Sequence, residues 1–407
     1  MSKKKRPDEY SLILKLLAHA MFGAPLPEDT VLCDGGQALY SLAVSQAVCA
    51  LVYDGAVALG LSEEIKKKWT VTIGKIYRQN ENLFSVQDSL CGLLENNGFC
   101  YTVIKGLSAA LPYPEPAKRS FGDIDLLIEP SELEKICKLL SENAYTASDG
   151  QDTDYHTAFY KNGVEIELHI HPRIPDNDAG QVIRRYLGNI LSDSSEAVFE
   201  GHAFRRPAPV ENALVMLMHI YEHMRHGGLG LRQICDWAVF ASSDEFAKEQ
   251  DKVLCALSDC GLLCLAEHIT MTCVRYLGLP PERAQWCSGA EQSVCESLID
   301  DFLDSGNFGR NRKDLYASSS LFTDEDPKKK RSKAGRLFFN LKKVTNKSLP
   351  STKRHPVLLP FGIIFISCRY FVRMLAGKRP RINPVKLASH SSARIDMYEK
   401  LNVYKIK

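Results

Sequence analysis

Residues 156–171 read HTAFYKNGVEIELHIH, and they leave this part of the chain little conformational freedom. Asn162-Gly163 is a preferred pair for the two-residue type I′ turn, whose central residues both take positive φ, and both flanks alternate polar with apolar. A turn at that pair sets Lys161 opposite Val164, Tyr160 opposite Glu165, Ala158 opposite Glu167 and His156 opposite His169. One face of the predicted hairpin then carries His156, Ala158, Tyr160, Glu165, Glu167 and His169. The other carries Thr157, Phe159, Val164, Ile166 and Leu168, which suits a core. An oily face backed by acids and imidazoles points to a site, and Ala158 beside Glu167 leaves room for an ion.

A second stretch, RSFGDIDLLI at 119–128, supplies more acid. In a strand, Asp123 and Asp125 project to one side while Ile124, Leu126 and Ile128 face the other. Two close carboxylates repel unless a cation lies between them, so a divalent metal is the first expectation. With a glutamate from the hairpin they make three oxygen donors of the kind Mg²⁺ prefers. Other D-x-D triplets occur at Asp152/Asp154, Asp176/Asp178 and Asp324/Asp326, but none enters an apolar strand. Upstream, the β-type run FCYTVI ends at Lys105-Gly106, where glycine permits a tight turn into a short helix, a natural phosphate site. Lys105 and Arg119 add positive charge for a polyphosphate.

Around these strands the chain reads as helical. Residues 8 to about 97 repeat apolar positions at helical spacing, and the middle stretch, 37–60, is expected to be a core helix. Ser131-Glu132-Leu133-Glu134 reads as a capping box for a helix through about Asn143. From about Val210 to Leu303 the pattern is helical again. His219, His223 and His226 fall on one face of a helix ending at Gly227-Gly228; without HExxH or a nearby cysteine they are read as structural or pocket-lining. Arg232 and Asp236, one turn apart, are read as an intrahelical pair.

Composition narrows the class. The chain has 407 residues, 45% hydrophobic and 25% charged, enough for two or three domains of a soluble protein. Its 13 cysteines form no CxxC pair, and no apolar signal segment follows MSKKKR, so a reducing cytoplasm is expected. Net charge is only +2, yet Lys328 to Arg381 holds 16 Lys or Arg and no acid, leaving 35 basic against 49 acidic residues elsewhere. That asymmetry calls for an anionic partner, a membrane surface or a nucleic acid. Within the tail, Val357 to Leu375 is apolar but broken by Pro360 and Gly362 and carries Arg369 and Arg373. It reads as a helix packed on the body, or as a basic segment lying on an anionic membrane.

Taken together, VIKGLSAALPYPEPAKRSFGDIDLLI and VEIELHIH resemble the largely uncharacterised bacterial branch of the polymerase-beta-type nucleotidyltransferase superfamily. The resemblance is good across 98–172 and extends more loosely to HIYEHMRHGGLGLRQICDW. It implies that Asp123, Asp125 and Glu167 are the catalytic, metal-holding acids and that Lys105 and Gly106 form the phosphate-side loop. The superfamily usually follows that glycine with Ser or Gly; here Leu107 intervenes, and Ser108 joins Lys105, Gly106 and Arg119 as the expected nucleotide-binding set.

The expectation is therefore an α+β protein with a small mixed-sheet nucleotidyltransferase core flanked by helical regions and a basic C-terminal tail. Its parts would be an N-terminal helical region 1–97, the core 98–200, a helical domain 201–303, a linker 304–330, and a basic tail 331–407 with its apolar segment. The expected activity is Mg²⁺- or Mn²⁺-dependent transfer of an NMP group from an NTP such as ATP to an acceptor hydroxyl on a small molecule, sugar, protein or RNA. The expected address is cytoplasmic, with peripheral contact to an anionic membrane surface through Lys328 to Arg381. The rivals are an inactive nucleotidyltransferase-like binding module and a D-x-D glycosyltransferase, although in the latter an apolar strand generally precedes D-x-D.

Overall fold

Five strands form one mixed sheet in the order β1-β2-β5-β4-β3: β1 Tyr101–Val103, β2 Asp123–Ile128, β3 Thr146–Ala147, β4 His156–Lys161 and β5 Val164–His169. This computed structural model describes residues 8–28, 30–32, 34–148, 155–226, 228–309, 311, 332–376 and 384–406. The β4–β5 hairpin forms with the predicted pairing, including Ala158 opposite Glu167 and His156 opposite His169. Its turn has φ of 50° at Asn162 and 77° at Gly163, the positive pair a type I′ turn demands. Strand β2 pairs antiparallel with β1 and parallel with β5, which places Asp123 beside Glu165 and Asp125 beside Glu167.

The two faces of the sheet meet different cores. Ile124, Leu126, Ile128, Phe159, Ile166 and Leu168 pack with the C-terminal half of the helix Glu63–Asn96, through Leu83, Phe84, Leu90 and Leu94. That helix is 34 residues long, roughly 50 Å. Ser62 caps it by accepting from the Ile65 amide, and its N-terminal half enters the other core through Ile65, Trp69 and Ile73. A second hairpin, β6 Ser195–Phe199 and β7 His202–Arg206, adds Phe199 and Phe204 to the sheet core. Its Glu200-Gly201 turn takes positive φ at both residues.

The larger core is helical and joins the regions expected as separate bodies. Ile13, Leu16 and Leu17 of the helix Asp8–Phe22 share one apolar cluster with Leu214, Trp237, Ile269 and Phe302. The middle N-terminal stretch, expected as a single core helix, is two: Gln37–Ser45 and Cys49–Ala58, parted where Ala47 takes φ 56°. The break has a polar cause. Buried Gln46 donates to the carbonyls of Phe302 and Leu303 and accepts from the Leu231 amide, satisfying backbone groups that a continuous helix would leave unpaired. The capping box at Ser131 does not form either; a 3₁₀ turn Pro130–Glu132 precedes the helix Leu133–Glu142, with no side-chain cap.

The start of the expected linker is packed instead of extended. Asn307 is buried and accepts from Gln233, and Ser305 donates to the Leu229 carbonyl. The rest of that linker, with Asp324/Asp326, and the Asp152/Asp154 triplet lie outside the described residues. The C-terminal region, expected as a basic tail, is helical among its described residues. The helices Lys333–Ser348, Pro350–Arg354 and Leu359–Leu375 precede the helix Pro384–Leu401, which returns to the body. There Met397, Leu401, Val403 and Tyr404 join the helical core, and the Arg394 guanidinium lies 3.6 Å from Asp301.

Candidate active site

The polar face of the sheet opens into a cavity of about 320 Å³ between β2, β5 and the helices Pro209–His226 and Leu231–Ser242. Lys105, Gly106, Arg119, Asp123, Asp125 and Glu167 all line it. Ser108 does not. Two residues beyond Gly106 it points about 200° around the short helix Gly106–Ala110 and is fully buried.

Local structure explains how the acids converge. The parallel register carries Asp125 and Glu167 side by side, and the pleat turns both away from the apolar core. Asp125 is buried, with the Lys105 ammonium 2.5 Å from Oδ1 and His169 Nε2 donating to the same oxygen at 2.8 Å. Burial alone would push the Asp125 carboxyl up. The attraction of Lys105 and the hydrogen bond from His169 outweigh it and hold the group well below the usual range. Asp123 has less compensation: burial and the charge of Asp125 raise it to about 6, against the pull of Lys105 and Arg232. Lys105 itself takes φ 64°, a region L-residues rarely adopt, and so carries local strain at the turn that brings its amine to Asp125.

Glu167 is flanked by imidazoles, with Oε2 3.2 Å from His169 Nε2 and Oε1 4.0 Å from His156 Nε2. His156, Glu167 and His169 each offer a ligand atom, and these lie within 4.8 Å of one another. Burial lowers His169, but its bonds to Asp125 and Glu167 outweigh that and favour the protonated ring; His156 is lowered, first by burial. Glu165 takes no part, since its Oε1 accepts from the Tyr160 hydroxyl at 2.9 Å.

The opposite wall corrects two expectations. Asp236 gives its oxygens to Arg119 and Tyr113 ahead of Arg232. It accepts from Arg119 Nε at 2.7 Å and Nη2 at 2.8 Å, and from the Tyr113 hydroxyl at 2.8 Å. Arg119 therefore lines the cavity with its charge matched by a bidentate carboxylate. Arg232 donates to the Ser120 carbonyl at 3.1 Å and lies over the Phe308 ring; burial and Arg119 work against its charge, and Asp236 and then Asp123 favour it. Positive charge on this wall thus comes from a residue that sequence reasoning assigned to a helix pair. The LGLRQICDW stretch carried the signal for it.

His219 and His223 line the cavity with rings 4.3 Å apart in a T-shape, as the pocket-lining reading has it; the side chain of His226 lies outside the described residues. Burial pushes His219 well below its ordinary value and His223 down to about 4, so both are neutral in the fold at pH 7. The unfolded chain protonates His223 below about 6.5, so stability is expected to fall as pH drops from 6.5 to 4 and then level. This one group accounts for up to about 3 kcal/mol of that loss. Urea titrations at pH 7 and 4.5 should show a smaller loss in His223→Gln; an equal loss would mean the ring is solvated.

With this geometry in place, comparison with known proteins is informative at the family level. A family described as uncharacterised nucleotidyltransferase matches residues 35–278. The chain belongs to that family. The matched span takes in the sheet, the acids of β2 and β5, and both helices of the opposite wall. Among solved structures, this nucleotidyltransferase-family chain is similar to an antigenic nucleotidyltransferase-like protein from Paracoccidioides brasiliensis. The two share 14% identity over 44% of this chain and 92% of that one, with a TM-score of 0.28. No curated protein matches the chain.

Proposed function

We propose that the chain transfers a nucleotidyl group from an NTP to an acceptor hydroxyl, in the manner of the polymerase-beta-type superfamily. The observation that carries this reading is the parallel β2–β5 pairing, which sets Asp125 beside Glu167 and opens both, with Asp123, onto one cavity. A divalent cation fits that donor set. Three carboxylates crowd one wall, Asp123 is raised by burial and by Asp125, and the Lys105 ammonium already sits where positive charge is stabilised. Asp123, Asp125 and Glu167 would hold Mg²⁺ or Mn²⁺, which supplies activation of the acceptor oxygen and stabilisation of the pyrophosphate leaving group.

The remaining residues bind and orient. Arg232, with Arg119 behind it, gives the opposite wall the positive charge a triphosphate needs, and the Lys105-Gly106 turn borders the same space. His219 and His223, neutral, offer hydrogen bonds without adding charge. In the reaction the acceptor hydroxyl loses its proton to solvent and its oxygen bonds to the α-phosphorus as the bond to the β-phosphate bridge breaks, releasing pyrophosphate. The cavity volume falls within the range of small-molecule pockets. Twelve described cysteines stand as free thiols, in keeping with a cytoplasmic address.

One observation favours a second reading, a binding module without turnover: the Lys105 ammonium occupies the acid wall at 2.5 Å from Asp125. Purified protein with each of four α-labelled NTPs, Mg²⁺ or Mn²⁺ and a cell extract decides between them. Label in a macromolecular or small acceptor, with pyrophosphate released, supports transfer. NTP binding with no label transferred under any of these conditions would establish the module.

A further inference from the structure

The helix Leu359–Leu375 is apolar on two sides, and among the described residues only one of them has a partner. Its inner side, through Leu359, Gly362 and Ile363, lies on the helix Lys333–Ser348 and the turn after it. A Cβ at Gly362 would stand 2.8 Å from Thr345 Cγ2 and 2.9 Å from Thr352 Cγ2, so glycine is what lets the two segments approach. The outer side presents Phe361, Ile364, Phe365, Phe371 and Val372, each between 55% and 69% exposed. At 100° per residue these fall within an arc of roughly 120°, a continuous stripe and not scattered exposure.

The rim of that stripe is basic. Arg369 and Arg373 lie along one edge of the arc, and exposed Lys342, Lys347, Lys353 and Arg354 belong to the segments it packs on or follows. No acid occurs between Lys328 and Arg381. A second copy of this chain would bring one basic rim against another, whereas an anionic lipid surface complements both the stripe and its border.

By length and composition alone, Pro356–Arg373 could cross a bilayer, and 11% of it is buried. The helix itself has 17 residues, about 26 Å, against a hydrocarbon core of about 30 Å. Its inner side is committed to a basic helix that would have to follow it into the lipid.

We propose that the outer side of Leu359–Leu375 lies in the plane of an anionic membrane surface, with Phe361, Phe365 and Phe371 inserted and the basic rim on the headgroups, holding the body of the protein at that surface. The proposal is independent of the nucleotidyl-transfer reading.

The test is flotation of the full chain with phosphatidylcholine vesicles with and without about 30% phosphatidylglycerol, at about 0.05 M and 0.5 M salt. The expected result is binding only to the anionic vesicles, weakened at the higher salt. The Phe361→Ser/Phe365→Ser variant should bind about tenfold less, and the Arg369→Gln/Arg373→Gln variant should lose part of the salt-sensitive component. Circular dichroism and gel filtration confirm that both variants fold. Wild-type protein that ignores anionic vesicles at low salt overturns the proposal. So does equal binding by the serine variant, or a lipid-free dimer that the serine variant converts to monomer. Protein that resists alkaline extraction from vesicles would make the segment a span and also overturn it.

Discussion

Glu167→Gln is expected to reduce NMP transfer by at least about a thousandfold while leaving the fold intact, and Glu165→Gln to keep most of the activity. The two glutamates share a face of β5, so alternation along the strand does not distinguish them. Their neighbours do. Glu167 lies beside Asp125 in the parallel register, faces Ala158 across the hairpin and lines the cavity. Glu165 is opposite Tyr160, whose hydroxyl it accepts. Replacing Glu167 by its amide keeps the shape and removes a charge, so lost activity would report chemistry and not collapse. Asp123→Asn should behave alike, and relief of the crowding that raises Asp123 should leave its metal-free melting temperature unchanged or higher. Kinetics on the pair of glutamate variants decide the matter: an inactive Glu165→Gln beside an active Glu167→Gln would place the cation on the wrong residue.

The second large effect concerns stability. Asp236→Ala is expected to destabilise the protein by about 3–5 kcal/mol, because it strands the buried guanidinium of Arg119 without its bidentate partner. Tyr113 would lose its acceptor at the same time. Burial works against the Arg119 charge, and the attraction of Asp236 outweighs it, so the cation persists only while the carboxylate is present. Replacing both members, Arg119→Met with Asp236→Leu, should cost much less than Asp236→Ala alone, since no buried charge is left over. Urea denaturation of Arg119→Met, Asp236→Leu and the double variant measures the coupling. A loss under about 1 kcal/mol for Asp236→Ala would mean that water reaches the pair and solvates Arg119.

Much of the candidate site was legible because its signals are local. Asn162-Gly163 dictates a turn whose two residues both need positive φ, and that turn sets which side chains of β4 and β5 face together. Asp123 and Asp125 announce themselves by alternation into an apolar run, and Lys105-Gly106 by a strand that stops at glycine. The room left by Ala158 across the hairpin and the resemblance together then chose Glu167 over Glu165. What failed at this level failed for a reason that can be named. Ser131 has the residues of a capping box, yet Pro130 starts a 3₁₀ turn and the helix begins after it. The stretch 37–60 has the periodicity of one helix but is cut where Gln46 is needed by carbonyls some 256 residues away.

By itself, the sequence determined the hairpin and its faces, the acid-bearing strand, the helical character of the flanks and the uneven spread of charge, because each depends on residues a few positions apart. Tertiary structure alone decided that β2 lies parallel to β5, that Asp236 serves Arg119 and leaves Arg232 to the cavity, that Ser108 is sealed away, and that the C-terminal helix returns to the body. Those outcomes depend on contacts between distant segments, where burial makes an unpaired charge or amide far more costly than any local preference, so packing and polar satisfaction override what the local pattern favours.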